Sequence, residues 1–565
     1  MNDIATAARA DDGSARIAFV GTGPGAPGLL TVRGAELVAE AEVVVLDAGT
    51  PLASVERHLG GDVLVVEARP GEEGDLSLAG RATGLAARAA ERAATRAATP
   101  PPARSAPAPA TTTAGCGDER RPLVVRLMEG ASGTADTLRA ELAACLEAGL
   151  TVEVVPGVSK ATAVPTYAGI PWAGGDAAAT LIVTSPETLD GWSAGAAADV
   201  NVILVGAVER LAAGLDRLLE QGRDPHTQVA LVANGSTTDQ RTTVATLGET
   251  PKQLRAGRLG DPTVAVVGRG VAEREAFSWF ESLPLFGWRV LVPRTKEQSF
   301  SMLAELERYG AVGEVVPTIS IEPPRTPAQM DRAIEGMVTG RYEWVGFTSV
   351  NAVRAVREKF AERGLDSRAF SGLKIAAVGG VTAEALLAMG LTPDLVPTGE
   401  QSAKGLLEAW PGYDAQLDPI NGVFLPRADI ATDVLVAGLQ EMGWEVDDVT
   451  AYRTVRAAPP PAPTREAIKK GDFDAVVFTS SSTVRNLVGI AGKPHPTTVV
   501  ACIGPATAQT AEEHGLVVSV MSPEPNGAVL IEALAAYGTR RAAEALAEGH
   551  RPVRPSETNP RRRKK

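Results

Sequence analysis

Short continuous runs of valine, isoleucine and leucine recur along the chain, and each is followed by a polar turn and a longer amphipathic stretch. In the first half, the runs that we predict as strands are RIAFVG, EVVVLD, PLVVRLM, TVEVVPG, NVILVG and TVAVVG. After residue 287 they are WRVLVPR, VGEVVPT, WVGFTS, KIAAVG, GVFLPR, EVDDVTAY, AVVFTS and VVACIG. Runs without polar alternation are typical of strands buried on both faces, as in parallel sheets flanked by helices. The pattern therefore predicts an α/β protein throughout, with parallel sheets.

Breaks in this pattern divide the chain of 565 residues, which is too long for a single hydrophobic core. One internal segment is rich in proline, alanine and threonine, and the C-terminus is polar and ends in five basic residues, so neither can bury a core. The N-terminus lacks the apolar middle of a secretion signal and is predicted to be a disordered leader. The predicted units are the leader 1–15, the region 16–272 with its low-complexity insertion 96–118, the linker 273–284, the region 285–540 and the basic disordered tail 541–565.

Charge and cysteine content exclude several classes of function. The formal net charge of −13 gives the protein no basic surface for nucleic acid, and the basic tail is interpreted as solvated. The three cysteines lie far apart, which favours a reducing cytoplasm over a disulfide framework. The five histidines show no metal-ligand spacing, and no apolar run reaches the length of a membrane span. We therefore predict no metal, membrane or nucleic-acid partner.

The C-terminal half contains an internal repeat. FTSVNAV, residues 347–353, and FTSSSTV, residues 478–484, each follow a short apolar run and precede a second strand, a glycine-containing turn and a helix. A further pair of segments each has a strand that ends in Pro-Arg, then a helix, a glycine and another strand. Such repetition predicts two similar α/β lobes. Lobe one is expected at about 285–320 and 455–540, and lobe two at about 321–451.

Hydroxyl and amide side chains follow the repeated strands, at the strand ends where parallel α/β sheets bind ligands. Together with the N–H groups of the helices that begin there, they suit an anion such as a carboxylate. Helix N-capping is the alternative role for each of them. No P-loop and no Ser/His/Asp order is present, so a reaction here would depend on positioning and hydrogen bonding. The candidate substrate-binding residues are Thr348, Ser349, Asn351, Thr382, Thr479, Ser480, Ser481, Ser482 and Thr507.

Residues 285–540 resemble uroporphyrinogen-III synthase through VLVPRT, FTSVNAV, AAVGGVTAEAL, FLPRADIATDVLVAGLQEMGWEV, AYRTV, AVVFTSSSTVRNL and ACIGPATAQTAEEHGL, in that order. The resemblance implies two α/β lobes joined by a two-stranded linker, and closure of the linear tetrapyrrole hydroxymethylbilane with loss of water and inversion of ring D. It implies no cofactor for this reaction. The tyrosine that the family places after a lobe-two strand is the usual catalytic candidate, and here it is Tyr452. A linker tyrosine packed between the lobes is the alternative role.

Two arginines at the ends of repeated strands are further candidates. Arg427 and Arg294 each follow a proline at a strand end, and they could pair with substrate carboxylates or be solvated charges at the rim. Ala506 stands where relatives often carry another threonine, so one hydrogen bond to the substrate is missing or replaced.

Residues 16–272 resemble the tetrapyrrole methylases, specifically uroporphyrinogen-III C-methyltransferase, through VGTGPGAPGLLTVRGAELVAEAEVVVLD, PLVVRLMEG, GLTVEVVPGVSKATAVPTYAGIP, NVILVGAVERL and QVALVANGSTTDQRTTVATL. The resemblance implies S-adenosylmethionine between two subdomains, a tetrapyrrole beside the glycine-rich turn, and a dimer formed through this region. Packing and turn formation are the alternative roles for the residues of that cleft. The cleft residues it implies are Gly157, Val158, Ser159, Thr166, Gly206, Asn234 and Gly235.

Departures from the methylase pattern concentrate in the loops that serve its chemistry. Ala26 replaces the family's aspartate in the glycine-rich turn, and the strand ending at Asp47 lacks the arginine that should follow. The S-adenosylmethionine loop reads EGASGTADTLRA, residues 129–140, without its Asp-Pro and aromatic residues, and WAGGDA replaces an expected Thr-His-Arg. Methyl transfer requires the sulfonium in line with its acceptor. We therefore expect this region to be impaired, with S-adenosylmethionine a doubtful cofactor.

Three functional hypotheses follow. The first is a uroporphyrinogen-III synthase of haem, sirohaem or cobalamin biosynthesis with an impaired methylase-like region. The second is a bifunctional synthase and methyltransferase, and the third is a non-enzymatic tetrapyrrole-binding protein. The first two imply a tetrapyrrole as the small-molecule partner and allow contact with the enzyme that makes hydroxymethylbilane.

Overall fold

The computed structural model describes residues 16–47, 52, 55–60, 63–68, 123–132, 138–172, 179–183 and 197–559. The predicted leader, the insertion 96–118, residues 133–137 of the altered loop and residues 173–177 of WAGGDA lie outside the described residues. The strands are β1 Arg16–Gly21, β2 Val43–Asp47, β3 Leu64–Ala68, β4 Leu123–Met128, β5 Thr151–Val155, β6 Ala179–Val183, β7 Val200–Val205, β8 Gln228–Ala233, β9 Arg241–Thr246, β10 Val264–Val267, β11 Arg289–Val292, β12 Val312–Val315, β13 Ile319–Glu322, β14 Trp344–Phe347, β15 Lys374–Ala377, β16 Gly422–Ala428, β17 Glu445–Arg456, β18 Ala475–Phe478, β19 Val499–Cys502 and β20 Val518–Met521.

The α-helices of the described residues lie mainly between these strands. They are α1 Val32–Glu40, α2 Leu138–Glu147, α3 Lys160–Tyr167, α4 Val208–Glu220, α5 Thr250–Arg255, α6 Arg274–Phe277, α7 Lys296–Arg308, α8 Pro327–Val338, α9 Val350–Glu362, α10 Gly380–Leu387, α11 Ala403–Ala409, α12 Val434–Glu441, α13 Ala462–Lys470, α14 Ser481–Ala491, α15 Pro505–Glu513 and α16 Gly527–Ala547. Among the described helices, none is long and apolar enough to cross a membrane.

The N-terminal half has two five-stranded sheets, in the orders β3-β2-β4-β1-β5 and β6-β7-β10-β8-β9. The first sheet is parallel, as predicted. In the second sheet only β6 and β7 pair in parallel, and β10 runs antiparallel to both of its neighbours. The prediction of parallel strands was therefore wrong for this sheet. Its strands β7, β8 and β10 are apolar because they are buried, and burial on two faces does not set strand direction.

The C-terminal half also has two five-stranded sheets. Lobe one contains β12-β11-β18-β19-β20, and all of its pairs are parallel. Lobe two contains β13-β17-β16-β14-β15, parallel except for the edge pair of β13 with β17. In that edge pair Ile319–Glu322 lies antiparallel to residues 453–456. We call this pair the ribbon, because the chain passes through it between the two lobes.

Strand residues of lobe one alternate between two cores. Val290 and Val292 face one apolar cluster, whereas Leu291 between them faces the other. The same alternation places Val477 and Phe478 in different clusters. Because each face is covered by helices, both sets of side chains are buried, which explains the continuous apolar runs in the sequence. The α/β class predicted from those runs is confirmed.

The C-terminal tail is ordered over most of its length, so the prediction of disorder from residue 541 was wrong for 541–559. The helix α16 continues to Ala547, and a 3-10 turn at Pro555–Thr558 folds back onto lobe one. Buried Asp474 accepts hydrogen bonds from the backbone N–H groups of Arg289 and Ser556. The tail therefore supplies a hydrogen bond to a buried carboxylate. This contact favours an ordered tail although its composition is polar. The final basic residues lie outside the described part of the chain.

Candidate active site

Parallel pairing brings the lobe-two candidates to one edge of the sheet. Thr348 and Ser349 follow β14, Thr382 follows β15, and Arg427 and Tyr452 lie at the corresponding ends of β16 and β17. Because carboxyl ends of parallel strands share an edge, residues from separate segments of the sequence come together there.

Ser349 and Tyr452 are in direct side-chain contact at this edge. Their side-chain oxygens lie 2.9 Å apart, and either can be the donor. Tyr452 is only 7% exposed. Ser349 is also the N-cap of α9, where its Oγ accepts a hydrogen bond of 3.1 Å from the N–H of Ala352. A serine hydroxyl has one proton and two acceptor sites, so it can receive that bond and still donate to Tyr452.

Ser349 also places the phenol oxygen of Tyr452 near a helix N-terminus. Ser349 begins the helix α9, and the first N–H groups of a helix carry partial positive charge. Ser349 Oγ lies between this helix start and the Tyr452 hydroxyl. The geometry therefore places a hydroxyl donor, beside a helix N-terminus, within hydrogen-bond distance of the phenol oxygen.

Lobe one repeats this cap without the tyrosine. Ser480 is the N-cap of α14 with φ and ψ of −167° and 160°, against −164° and 158° for Ser349. Its Oγ accepts from the N–H of Thr483 and lies 2.9 Å from Ser482 Oγ. Ser481 donates to the backbone carbonyl of Ala506, 2.9 Å away. The capping role is thus present in both lobes, and the contact with a phenol belongs to lobe two.

The two threonines of the glycine-containing turns occupy matching positions. Thr382 in α10 and Thr507 in α15 are each 4% exposed, and each donates its backbone N–H over 3.1 Å to the glycine that caps its helix. Within the described residues, the hydroxyls of these two threonines have no hydrogen-bond partner. The same holds for the side chains of the more exposed residues at these edges, which are Thr348, Asn351 and Thr479.

Arg427 is held inside lobe two. Its side chain is 5% exposed, and its Nε lies 2.7 Å from Asp448 Oδ1 while Nη2 bonds to the second oxygen of the same carboxylate. Its Nη1 donates to the carbonyl of Thr432 over 2.6 Å. The structure therefore does not present Arg427 as a free cation at the edge. Sequence reasoning missed Asp448, although an aspartate inside the apolar strand EVDDVTAY is a signal of a buried partner.

The methylase-like cleft is closed by backbone contacts where strands β4, β1 and β5 end. A Cβ atom on Gly157 would lie 2.2 Å from the carbonyl oxygen of Gly130, and one on Gly21 would lie 2.5 Å from the N–H nitrogen of Gly157. Gly130 exchanges two backbone hydrogen bonds with Gly23, at 3.0 and 3.1 Å. The described start of the altered loop is thus bonded to the glycine-rich turn.

Ser132 continues this internal bonding, because its buried hydroxyl donates to the carbonyl of Val155 over 2.9 Å. Its polar groups and those of Gly130 are used within the protein. In the described part of this loop, the Gly130 backbone and the Ser132 hydroxyl are therefore not available to cradle S-adenosylmethionine.

The remaining cleft candidates lie around the helix α3. Gly157 and Val158 precede its N-cap Ser159, and Gly235 lies against Val164, since a Cβ on Gly235 would approach that side chain to 2.5 Å. Asn234 and Gly206 follow β8 and β7, whose carboxyl ends share an edge of the second sheet. Asn234 has φ of 50°, so it has a turn role whatever else it does.

Thr166 lies apart from the other cleft candidates, at the opposite end of α3. Its hydroxyl accepts from the indole N–H of Trp172, and its carbonyl accepts from that of Trp279. These residues line a pocket of about 570 Å³ with Gly169 and Phe277. Thr166 therefore belongs to an aromatic pocket beside the interdomain linker.

Comparison with known proteins assigns both halves of the chain. Residues 301–532 match the family model of uroporphyrinogen-III synthase HemD, and residues 16–251 match that of the tetrapyrrole (corrin/porphyrin) methylases. Uroporphyrinogen-III synthase of Synechococcus elongatus is 30% identical over 243 residues, which cover 41% of this chain and 88% of that protein. The chain belongs to the uroporphyrinogen-III synthase family. Its N-terminal half adds a tetrapyrrole methylase region.

Two further relatives show how much of this chain is shared with multidomain proteins. Porphyrin biosynthesis protein HemD of Ruminiclostridium josui is 27% identical over 510 residues, covering 88% of this chain and 94% of that protein. The siroheme synthase of Psychromonas ingrahamii is 31% identical over 273 residues, covering 47% of this chain. The match spans about half of that enzyme's own length, 51%. The arrangement of both regions in one chain is therefore shared with the Ruminiclostridium protein over nearly its whole length.

Proposed function

We propose that this protein is a cyclising hydro-lyase that closes hydroxymethylbilane with inversion of ring D, the activity of uroporphyrinogen-III synthase. The observation that carries the proposal is the hydrogen-bonded pair of Ser349 and Tyr452 at the start of α9, in a chain of that family. Cyclisation requires a hydroxyl group to leave the open tetrapyrrole, and a positioned phenol can supply the proton for it.

In the proposed first step, Tyr452 donates its proton to the terminal hydroxyl of the substrate. The C–O bond breaks as the electron pair of the adjacent pyrrole nitrogen forms the protonated azafulvene, and water leaves. Ser349 then donates its hydroxyl proton in a hydrogen bond to the phenolate, while the start of α9 stabilises the negative charge. The pair therefore supports proton donation from a tyrosine that is otherwise a weak acid.

In the second step the substituted α-carbon of ring D attacks the protonated azafulvene and forms a spiro intermediate. The bond from this carbon to the ring C methylene then breaks, which leaves a protonated azafulvene on ring C. The free α-carbon of ring D attacks that methylene, and the new carbon–carbon bond closes the macrocycle with ring D inverted. The proton released when the ring regains its aromatic character returns to the Tyr452 phenolate, so the enzyme is regenerated. The free hydroxyls at the two sheet edges are suited to hold the substrate's carboxylates during bending. These are the hydroxyls of Thr348, Thr382, Thr479 and Thr507.

A second candidate function is combined synthase and methyltransferase activity. The match of residues 16–251 to tetrapyrrole methylases favours it, as does the shared edge of Gly206 and Asn234. Against it stand the internally bonded backbone of Gly130 and the altered donor loop. We therefore propose that the methylase region lacks efficient methyl transfer. Cys145 and Cys502 are buried free thiols, which supports a reducing cytoplasm as the place of action.

The test is incubation of the purified chain with hydroxymethylbilane, with and without S-adenosylmethionine, followed by isomer separation and mass analysis of the product. We expect type III uroporphyrinogen of unchanged mass under both conditions. Formation of type I isomer alone would contradict the synthase proposal. A methylated product would contradict the proposed loss of methyl transfer. A Tyr452→Phe variant should slow type III formation by about 100-fold, the usual size of a general-acid contribution.

A further inference from the structure

The internal repeat places one arginine at equivalent strand ends of the two lobes, but the two have different surroundings. Arg294 follows Pro293 after β11 of lobe one, and Arg427 follows Pro426 in β16 of lobe two. Asp448 holds Arg427 through two hydrogen bonds. In the described part of the chain, the guanidinium of Arg294 has no ion pair and no hydrogen bond. At these equivalent strand ends, lobe one therefore has an arginine that is free to bind an anion, whereas the arginine of lobe two is already paired with Asp448.

Arg294 is partly buried, although it has no acidic partner. Burial lowers its pKa from the usual arginine value. An arginine nevertheless remains charged at neutral pH. Withdrawing such a cation from water is unfavourable unless an anion compensates for the loss. The site is thus prepared for a negatively charged group that the protein itself does not supply.

The position of Arg294 relates it to the proposed reaction centre. The carbonyl of the preceding Pro293 accepts from Thr318 Oγ1 at 3.4 Å, and Thr318 in turn accepts from the backbone of Ala457. Thr318 and Ala457 flank the ribbon on its lobe-one side. Tyr452 stands at the other end of the same ribbon, next to Arg453, which pairs with Glu322. Arg294 and Tyr452 therefore lie at the two ends of the connection between the lobes.

The neighbouring strand ends strengthen the site for an anion. β11 pairs with β18, so Arg294 lies at the same edge as Ser480 and the start of α14. The helix α7 begins at Lys296, two residues after Arg294. Two helix starts with their partial positive charge thus accompany the guanidinium. All of these contributions attract negative charge, and none is offset by an acid hydrogen-bonded to Arg294.

We propose that Arg294 binds a carboxylate side chain of the tetrapyrrole substrate in lobe one while Tyr452 acts on the substrate from lobe two. This inference rests on the proposed function. An open tetrapyrrole carries carboxylates along its length, so one of them can be fixed at one end of the ribbon while the terminal hydroxyl lies at the other. Guanidinium is suited to this role because its N–H groups match the two oxygens of a carboxylate.

Steady-state kinetics with hydroxymethylbilane test the proposal in the full chain. Arg294→Gln should raise KM by about 10- to 100-fold, the loss expected for a charged hydrogen-bonded contact, with kcat within about twofold. Arg294→Lys should recover part of the loss, since it restores charge without the paired donors. Arg308→Gln is the matched control, because it removes a more exposed arginine from the opposite end of α7 and should leave KM unchanged.

Binding of uroporphyrin, followed by its fluorescence, provides a readout that does not need turnover. Arg294→Gln should weaken this binding by a similar factor and leave the melting temperature unaltered. If Arg294→Gln has the same KM and the same uroporphyrin affinity as the wild type, the inference about Arg294 is overturned, and the proposed function is unaffected. A wild-type chain that forms no type III product would instead contradict the proposed function. The two failures are therefore distinguishable.

Discussion

At the scale of single residues, a serine of the candidate site has two roles, helix capping and contact with a tyrosine hydroxyl. Ser349 begins a helix and also contacts Tyr452, whereas Ser480 performs only the first task in the equivalent place. Capping alone can be predicted from the sequence, because serine before an apolar periodic stretch is a common helix start. The contact with Tyr452 cannot, because the two residues are 103 positions apart and meet only through the order of strands in the sheet.

This pair of serines gives a matched test. Ser349→Ala and Ser480→Ala should each destabilise the protein by about 1 kcal/mol, the usual cost of losing an N-cap. Only Ser349→Ala should also lower kcat for type III formation, by about tenfold, because the phenolate loses a hydrogen-bond donor. Thermal unfolding and initial rates measure both effects. Equal rates in the two variants would show that the contact with Tyr452 plays no part in the reaction.

The sequence alone could not show that Arg427 is paired within the protein and is not free to bind a substrate carboxylate. Two arginines in matching Pro-Arg sequences are indistinguishable until the neighbouring strand is known. Asp448 comes from β17, about 20 residues downstream, and parallel pairing of β16 with β17 brings it to Arg427. Whether a charged side chain is paired with one on the next strand therefore depends on the order of the strands. The sequence around Arg427 does not show that order.

At the scale of secondary-structure elements, the apolar runs predicted the strands well but not their directions. β10 is buried on both faces and antiparallel, so burial made it resemble the parallel strands of the other sheets. The short connection from β8 to β9 was the available signal, because antiparallel neighbours can be joined by a few residues. In the C-terminal half, the long helical connections agree with parallel order, and there the prediction of direction was correct except for the edge pair of β13 with β17.

Close packing of glycines at the ends of β1, β4 and β5 makes a prediction at this scale. Gly157→Ala places a methyl group 2.2 Å from the carbonyl oxygen of Gly130, so strands or loop must separate. We expect a loss of about 1–3 kcal/mol in the stability of the N-terminal half. Gly28→Ala is the control, because the nearest atom to its new Cβ is an arginine nitrogen 3.9 Å away. Urea unfolding compares the two, and equal midpoints would argue against the close packing.

Buried Cys502 at the end of β19 predicts a pH dependence. Burial, with a smaller effect of Glu512, raises the pKa of this thiol from 9.0 to about 12. Between these values the unfolded chain loses the thiol proton and the folded chain retains it, so the free energy of unfolding falls as pH rises. Cys502→Ala removes this contribution. The stability difference between wild type and variant should therefore narrow above pH 9, and urea titrations in which it stayed constant would contradict the shift.

At the scale of the whole molecule, the C-terminal segment 550–559 contacts the synthase region at several points. Arg554 of the C-terminal segment donates to the carbonyl of Gly287 at the start of the synthase region, and Asn559 donates to the carbonyl of Lys470. The segment thus fastens residues that are distant in sequence. Its composition predicted a solvated tail because the basic residues at its end dominate the pattern, whereas the contacts depend on individual residues such as Ser556.

Truncation tests this role. A chain that ends at Gly549 loses the contacts of Arg554, Ser556 and Asn559, and leaves the buried Asp474 with fewer donors. We expect a decrease of about 1–3 kcal/mol in the stability of lobe one, since a buried carboxylate is left under-bonded. A chain that ends at Asn559 removes the basic terminus and retains those contacts, so it should unfold like the full chain. Equal melting temperatures for both truncations would contradict the role of the segment.

The interrupted sequence of lobe one also sets an order of events during synthesis. Strands β11 and β12 leave the ribosome about 160 residues before β18, their partner in the middle of the sheet. At translation rates of about 5–20 residues per second, they wait roughly 10–30 s. Lobe two is continuous between them and can fold in that interval, whereas the β11 edge stays open to incorrect pairing. The newborn chain can therefore fold lobe two, which carries Tyr452, before lobe one is complete.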